Sequence, residues 1–345
     1  MKRFKFLLGS LVLLVSAAMP VAASAAPNTT LSNTQKHHDG FCTDVPVPVA
    51  LSSGQPHKQY VAGTFCYPYG KASSVDVLIH GATYDRTYWD SGYNFPQYSY
   101  VNRTLQAGRA VFYYDRLGVG KSSPLKSTDV TMDADAYVVH QLVQLFKPVF
   151  HNVNIIGHSY GSRIAQLESS QFNDATKVVL TDSLHAVGPA LANNEITQYP
   201  ANQDPKFAGL GLDDGWTTTT PGNARKAFYN LATADPNEIA YDDAHKAILS
   251  TTQFTQGQVQ GRVPAGSNLT NSITRPVLLI YGQQDRLYCG LALDCSNTAA
   301  VLANEQPYYT SVASLTAKVV PDTGHDMALH PSAGTSFTMI NDWLK

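Results

Sequence analysis

Charge is scarce in this chain and balanced in sign. Only 14% of its 345 residues are charged, and 24 Lys and Arg stand against 26 Asp and Glu. No long run of either sign interrupts that balance, so the chain lacks the clustered basic face that a nucleic-acid partner requires. Disorder is excluded as well, because 43% of the residues are hydrophobic, enough for a large buried core. Long apolar runs are missing: the strongest, residues 6–15, is followed by Pro20 and small residues and falls short of the roughly 18 that a spanning helix needs. Metal signatures are missing too. There is no H-E-x-x-H and no C-x-x-C, and the 11 histidines show no paired ligand spacing, which argues against a metal or other cofactor.

What stands at the start is the pattern of an export signal. Lys2, Arg3 and Lys5 precede the apolar run, and Ala23-Ser24-Ala25 offers a small-residue cleavage site, so 1–25 reads as a signal peptide. Its removal would take the formal charge from −2 to −5 and leave no stable membrane anchor. The expected location is secreted, extracellular or periplasmic. Export exposes the four cysteines to oxidising conditions, in which buried free thiols are the lesser alternative. Of three possible pairings, proximity favours Cys42 with Cys66 and Cys289 with Cys295. Asn28, Asn102 and Asn268 head glycosylation sequons, which matter only in a host that glycosylates.

Five segments follow from the pattern: the leader 1–25, a polar flexible terminus 26–40 whose His37-His38 pair reads as solvated, a core in two parts, 41–185 and 273–345, and an insertion, 186–272. Residues 42–69 favour antiparallel strands stapled by Cys42 and Cys66. Beyond them, short apolar runs at 75–79, 110–114, 153–156, 177–181, 277–281 and 317–320 alternate with helical stretches such as 134–150 and 162–170, the signature of a mostly parallel α/β sheet. The insertion is too long for a loop and reads as a mainly helical cap. Asp235, Pro236 and Glu238 fit helix-start and capping-box positions, with an apolar stripe at Ile239, Ala244, Ala247 and Ile248, and Ala224, Ala227, Phe228 and Leu231 form another.

The chemistry-bearing pattern is Gly157-His158-Ser159-Tyr160-Gly161, placed between a strand and a helix. A serine on so sharp a turn needs small neighbours, and the turn aims the Tyr160 N–H at the position of an oxyanion. Serine is a weak nucleophile without a base and an acid to orient it. Asp285 follows the run 277–281 and His325 follows 317–320, both at strand carboxyl ends, in the chain order serine, acid, histidine.

With these residues in place the sequence resembles the α/β-hydrolase fold, in its serine-nucleophile esterase and lipase branch, from about Cys42 to Lys345 outside the cap. His80-Gly81-Ala82 is similar to the family's HG-x motif, which implies that the Ala82 N–H is the second oxyanion donor. Asp115-Arg116-Leu117-Gly118-Val119-Gly120-Lys121-Ser122 resembles its D-x-x-G-x-G-x-S turn, a structural feature; it ends like a P-loop, but Asp115 stands where the first glycine is required. The resemblance implies a triad of Ser159, Asp285 and His325.

Other residues carry competing readings. Asp182 ends the run 177–181 and could supply the acid instead, although Asp285 holds the commoner place. Asp322 and Asp326 read as solvated loop residues, His158 as packing under the elbow, and His80 as ordering its own loop. Tyr84, Trp89 and Tyr93 are pocket candidates on equal terms with plain packing. The function expected is cleavage of small-molecule carboxylic esters through an acyl-enzyme. A peptidase or amidase of the same fold and a catalytically silent binding protein are the alternatives. The oligomeric state leaves no trace in the sequence.

Overall fold

The computed structural model describes residues 38–345; the leader, the tail up to His37 and the Asn28 sequon lie outside them. At its described end the tail is held, which corrects its reading as loose and solvated. The His38 ring bonds Asp90 at 3.1 Å and packs edge-on to Phe95, and the Asp39 N–H donates to Asn102 Oδ1.

Eight strands form one sheet: β1 (Gly40–Val49), β2 (Gln59–Pro68), β3 (Ser74–Ile79), β4 (Ala110–Tyr114), β5 (Asn152–His158), β6 (Val178–Thr181), β7 (Val277–Gly282) and β8 (Leu315–Val320). Their order across the sheet is β1-β2-β4-β3-β5-β6-β7-β8. β2 runs antiparallel to β1 and β4, and every later pairing is parallel. β4 and β7 are buried at every position, as a parallel sheet covered on both faces requires. The charge inside β3, Asp76, is fully buried but not orphaned: Arg109 Nη2 donates to it at 2.9 Å and Asn154 Nδ2 at 2.9 Å.

The flanking helices are α1 (Tyr100–Gln106), α2 (Met132–Phe146), α3 (Tyr160–Gln171), α4 (Thr298–Glu305) and α5 (Ala333–Leu344). α2 begins where the Thr131 side chain accepts the Ala134 N–H, with Asp133 and Asp135 in its positive first turn. Cys42 and Cys66 are register partners across β1 and β2 and are bonded, as are Cys289 and Cys295. Asn102 and Asn268 are 3% and 4% exposed, so neither sequon offers its amide in the folded chain.

Between β6 and β7 the insertion carries helices at Pro236–His245 and Thr251–Arg262, shorter helical turns, and a three-stranded antiparallel sheet of Gln198–Pro200, Trp216–Thr219 and Leu249–Ser250 that the sequence did not announce. Asp235 caps the first helix as read. Its buried face, however, is Glu238 and Asp242, with Ile239 half-buried and Ala244 exposed; of the expected stripe only Ala247 and Ile248 are buried, and they lie past the helix end. Glu238 turns inward, where Ser91 Oγ donates to it at 3.3 Å. In the other stripe Ala224, Ala227 and Phe228 are buried and Leu231 is exposed. The Trp216 ring fills the space beside Gly118, whose φ of +71° and lack of Cβ that contact requires.

Candidate active site

The strand β5 ends in a turn that only a few side chains allow. Ser159 sits at φ +52°, ψ −114°, outside the regions L residues favour, and its N–H donates to Thr181 O at 2.9 Å. A Cβ on Gly157 would lie 2.4 Å from Gly161 O, and one on Gly161 would lie 2.3 Å from Ile79 O. Both glycines are therefore demanded by backbone closeness. The turn is pinned further by Ser162 Oγ, which donates to Gly157 O at 2.8 Å.

His325 stands between Ser159 and Asp285. Its Nδ1 donates to Asp285 Oδ2 at 2.9 Å, which leaves Nε2 to accept from Ser159 Oγ at 2.8 Å. Asp285 is wholly buried, and its other oxygen accepts the Leu287 N–H at 2.9 Å. Burial works against a charged His325, but the adjacent Asp285 carboxylate outweighs it and holds the imidazole above its ordinary value. The histidine loop is itself held by His330, whose Nε2 accepts the N–H groups of Gly324 and Asn230 at 3.2 and 3.1 Å. Phe228 and Tyr288 pack with ring centroids 5.6 and 5.9 Å from that of His325.

Asp182 lies beneath these groups. Its Oδ1 accepts the Gly282 N–H at 2.8 Å, and burial, with the nearby Asp285 charge, pushes its carboxyl well above the usual range. It makes no hydrogen bond to His325. His158 is buried under the elbow, stacked on Tyr88 at 4.2 Å with Nδ1 3.0 Å from Thr181 Oγ1, and burial holds it neutral. The loop His80-Gly81-Ala82 abuts the serine: a Cβ on Gly81 would come within 3.3 Å of Ser159 Cβ. Ala82 is half-buried there, and Tyr160 opens α3 directly after the serine.

Of the remaining aromatic candidates Tyr84 and Trp89 are buried and Tyr93 is half-buried. Trp89 is 1% exposed, between Tyr88 and Tyr100. The Tyr84 hydroxyl, a single donor, lies 2.5 Å from Asp326 Oδ2 and 3.0 Å from Asp242 Oδ2, while Tyr93 stacks on Tyr98 and donates to Asp235. Asp326 corrects the sequence reading. It is fully buried, bonded to Tyr84 and 3.4 Å from His158 Nε2, whereas Asp322 is exposed. The sequence reading also passed over Arg225 and Asp242, which join Tyr84 and Asp326 in one buried network: the Arg225 guanidinium lies 4.3 Å over the Tyr84 ring and Nη1 is 3.5 Å from Asp242. No motif marks them.

Two groups of donor atoms among the described residues are tight enough to hold a cation, Asp182 with Asp285 and His325, and His140 with Glu168 and Asp174. In the first, hydrogen bonds within the protein already engage all three residues. In the second, His140 Nδ1 lies 2.8 Å and Lys147 Nζ 3.6 Å from the same Asp174 oxygen, so the protein's own side chains already occupy that carboxylate. Among the described residues no helix is long and apolar enough to cross a membrane.

No curated protein matches the sequence. Solved structures share the fold at low identity. The monoglyceride lipase of Saccharomyces cerevisiae, solved as a soluble variant with a substrate analog, superposes with a TM-score of 0.59 at 18% identity, over 87% of this chain and 96% of that one. An esterase of Thermogutta terrifontis gives 0.56 at 17% over 88% and 98%, and the monoacylglycerol lipase of Paleococcus ferrophilus 0.55 at 15% over 83% and 98%. The family model described as "Alpha/beta hydrolase family" matches residues 77–335, three quarters of the chain and all the residues of the serine, histidine and aspartate constellation. This chain belongs to the alpha/beta hydrolase family.

Proposed function

We propose that the protein is a secreted serine esterase that hydrolyses small carboxylic esters through an acyl-enzyme. The observation that carries this reading is His325 bonded at 2.8 Å to Ser159, which sits on the sharp turn after β5, and at 2.9 Å to Asp285. Ser159 Oγ attacks the ester carbonyl while its proton passes to His325 Nε2, and Asp285 stabilises the imidazolium that forms. The carbonyl oxygen becomes an oxyanion held by the N–H groups of Ala82 and Tyr160, the latter at the positive end of α3. Collapse of that intermediate breaks the C–O bond, and the departing alcohol takes the proton from His325. A water then repeats the sequence, with His325 as base, to release the acid and restore Ser159.

The insertion, 186–272, acts as a cap over the entrance and supplies Phe228 to the wall beside His325. Ester-cleaving names among the similar structures support the substrate class, and two disulfides support export. A fluorophosphonate probe tests the nucleophile: the folded protein should carry the adduct on Ser159 and the Ser159→Ala variant none. p-Nitrophenyl esters of increasing chain length, beside aminoacyl and lactone substrates, then define the substrate. An unlabelled, correctly folded wild-type protein would remove the hydrolase reading.

A further inference from the structure

The turn after β4 holds a feature that its backbone role does not use. In Asp115-Arg116-Leu117-Gly118 the aspartate does the work of the turn: its carboxylate accepts the N–H groups of Arg86 and Lys121 at 3.0 and 2.8 Å. Gly120 clears space for that carboxylate, since a Cβ there would lie 2.4 Å from Asp115 Oδ2. The Arg116 side chain leaves the turn altogether. It is wholly buried, with Nη1 donating to Asp135 Oδ2 at 3.2 Å and Nη2 donating to Gly81 O at 3.3 Å. Its guanidinium carbon also lies 4.9 Å from the centre of the Tyr160 ring. One cation thus touches both stretches of chain to which the proposed function assigns the oxyanion donors.

The carbonyl that Arg116 grips is the informative one. Gly81 C=O and Ala82 N–H are the two ends of a single planar peptide group. A second donor reaches the same oxygen: His80 Nε2 accepts the Arg116 N–H at 3.1 Å, so Nδ1 carries the ring proton and donates to Gly81 O at 3.0 Å. Burial, reinforced by the Arg116 charge, keeps that imidazole neutral and the tautomer fixed. Donors on a peptide oxygen draw electron density from its nitrogen and strengthen the N–H as a donor, the more so when one is charged and the site is dry. They also fix the tilt of the peptide plane before substrate arrives, which is the requirement for stabilising an oxyanion without reorganisation.

We propose that Arg116 is a positioning residue for the oxyanion hole, which orients and polarises the Gly81–Ala82 peptide through its carbonyl oxygen and steadies the Tyr160 side of the hole through the ring. This rests on the esterase reading. Asp135 takes up the other arm of the fork and is itself bonded by Gln253 from the insertion, so the cation is held from two sides. Removing Arg116 alone would leave Asp135 buried without its partner, a fault of folding rather than of catalysis. The test therefore uses the double variant Arg116→Gln with Asp135→Asn, and separately Arg116→Lys, which keeps the charge and loses the planar fork.

The readout is the ratio of turnover on p-nitrophenyl acetate to turnover on its thiono analogue, in which sulfur replaces the carbonyl oxygen. A sulfur anion is a weak acceptor and gains little from N–H donors, so a fault confined to the hole slows the oxygen ester alone. In the double variant kcat on the oxygen ester should fall about tenfold with KM within about twofold, a fraction of the roughly 10² to 10³ that loss of a whole oxyanion donor costs. The ratio should fall with it, and Arg116→Lys should lie between that variant and the wild type. Equal losses on both substrates, or an unmoved ratio in Arg116→Lys should the double variant fail to fold, would overturn the proposal. A wild-type protein that neither labels at Ser159 nor turns over the ester would instead refute the esterase reading beneath it.

Discussion

Replacing Asp285 by asparagine should collapse ester turnover, while the same change at Asp182 should leave it nearly intact. Asp285 Oδ2 can only accept, so at 2.9 Å it forces the ring proton of His325 onto Nδ1 and leaves Nε2, 2.8 Å from Ser159 Oγ, open to receive the serine's proton. An asparagine of the same shape can turn its amide N–H₂ towards Nδ1. The ring then carries its proton on Nε2, where it can no longer act as base. A tautomer fault of this kind costs about 10⁴ in kcat, equivalent to about 5.5 kcal/mol of transition-state stabilisation. Asp182 is placed differently. It accepts the Gly282 N–H at 2.8 Å, and burial together with the Asp285 charge pushes its carboxyl well above the usual range, towards the neutral form that an amide resembles, so turnover should stay within about tenfold. Initial rates on p-nitrophenyl acetate measure both, with melting curves to show that each variant is folded. If Asp182→Asn lost more activity than Asp285→Asn, the acid would be Asp182 and the role assigned to Asp285 would be wrong.

The pH dependence of kcat/KM should show an acid limb above the ordinary histidine value of about 6.5, because burial lowers the His325 pKa but the Asp285 carboxylate more than offsets it; the base must be neutral, so activity falls as pH drops through that raised value, and a limb well below 6.5 would contradict the assignment. Exchanging Cys289 and Cys295 for serine should lower turnover more than stability: the bridge spans a separation of only 6, for which chain entropy gives about 2 kcal/mol, yet the Cys289 N–H at the start of the bridged loop donates to Asp285 O at 2.8 Å and so ties that loop to the acid. The same exchange at Cys42 and Cys66, across β1 and β2, should lower the melting temperature and leave kcat unchanged; equal effects on kcat from both pairs would sink the argument. Gly157→Ala should cost both stability and at least about 10² in turnover, since the new Cβ would press on Gly161 O at 2.4 Å, while Gly70→Ala, with nothing within 4 Å, should match the wild type on a melting curve and in the rate assay.

The middle of the sheet was legible because its central strands are buried on both faces, which writes a continuous apolar run into the sequence at β4 and β7. Ser159 and Asp285 could be picked out as candidates for a related reason, since each follows the carboxyl end of such a run; His325 follows the half-buried β8, and a parallel sheet gathers all these ends on one edge. The misread helix and the misread Asp326 have one physical source. Apolar periodicity assumes that a buried face is apolar, and the helix Pro236–His245 buries Glu238 and Asp242 instead. Their partners are Ser91 on the one hand, and Tyr84, Tyr229 and Arg225 on the other, most of them far away in the chain. Asp326 looked solvated for the same reason. Its burial depends on Tyr84 and on the insertion, and a local pattern holds no information about either.

That network changes what the insertion is for. Thr83, next to Ala82, sits at φ +57°, and its carbonyl accepts from Arg225 Nη2 at 2.6 Å and from the Ala247 N–H at 2.8 Å, both donors belonging to the insertion. On the other side of the serine, the Asp326 N–H donates to Phe228 O at 3.1 Å and Asn230 Nδ2 donates to Asp322 O at 3.0 Å, so the histidine loop hangs from the same segment. A left-handed threonine and a loop built around buried carboxyls are costly conformations that persist only where their surroundings impose them. The insertion therefore adds a brace to two loops that the core also holds, through Arg116 and His80 on one side and His330 on the other. Its residues divide accordingly: Arg225, Asn230 and Ala247 hold backbone, whereas Phe228 presents its ring to His325 and is the position at which wall chemistry can change without loosening the loops.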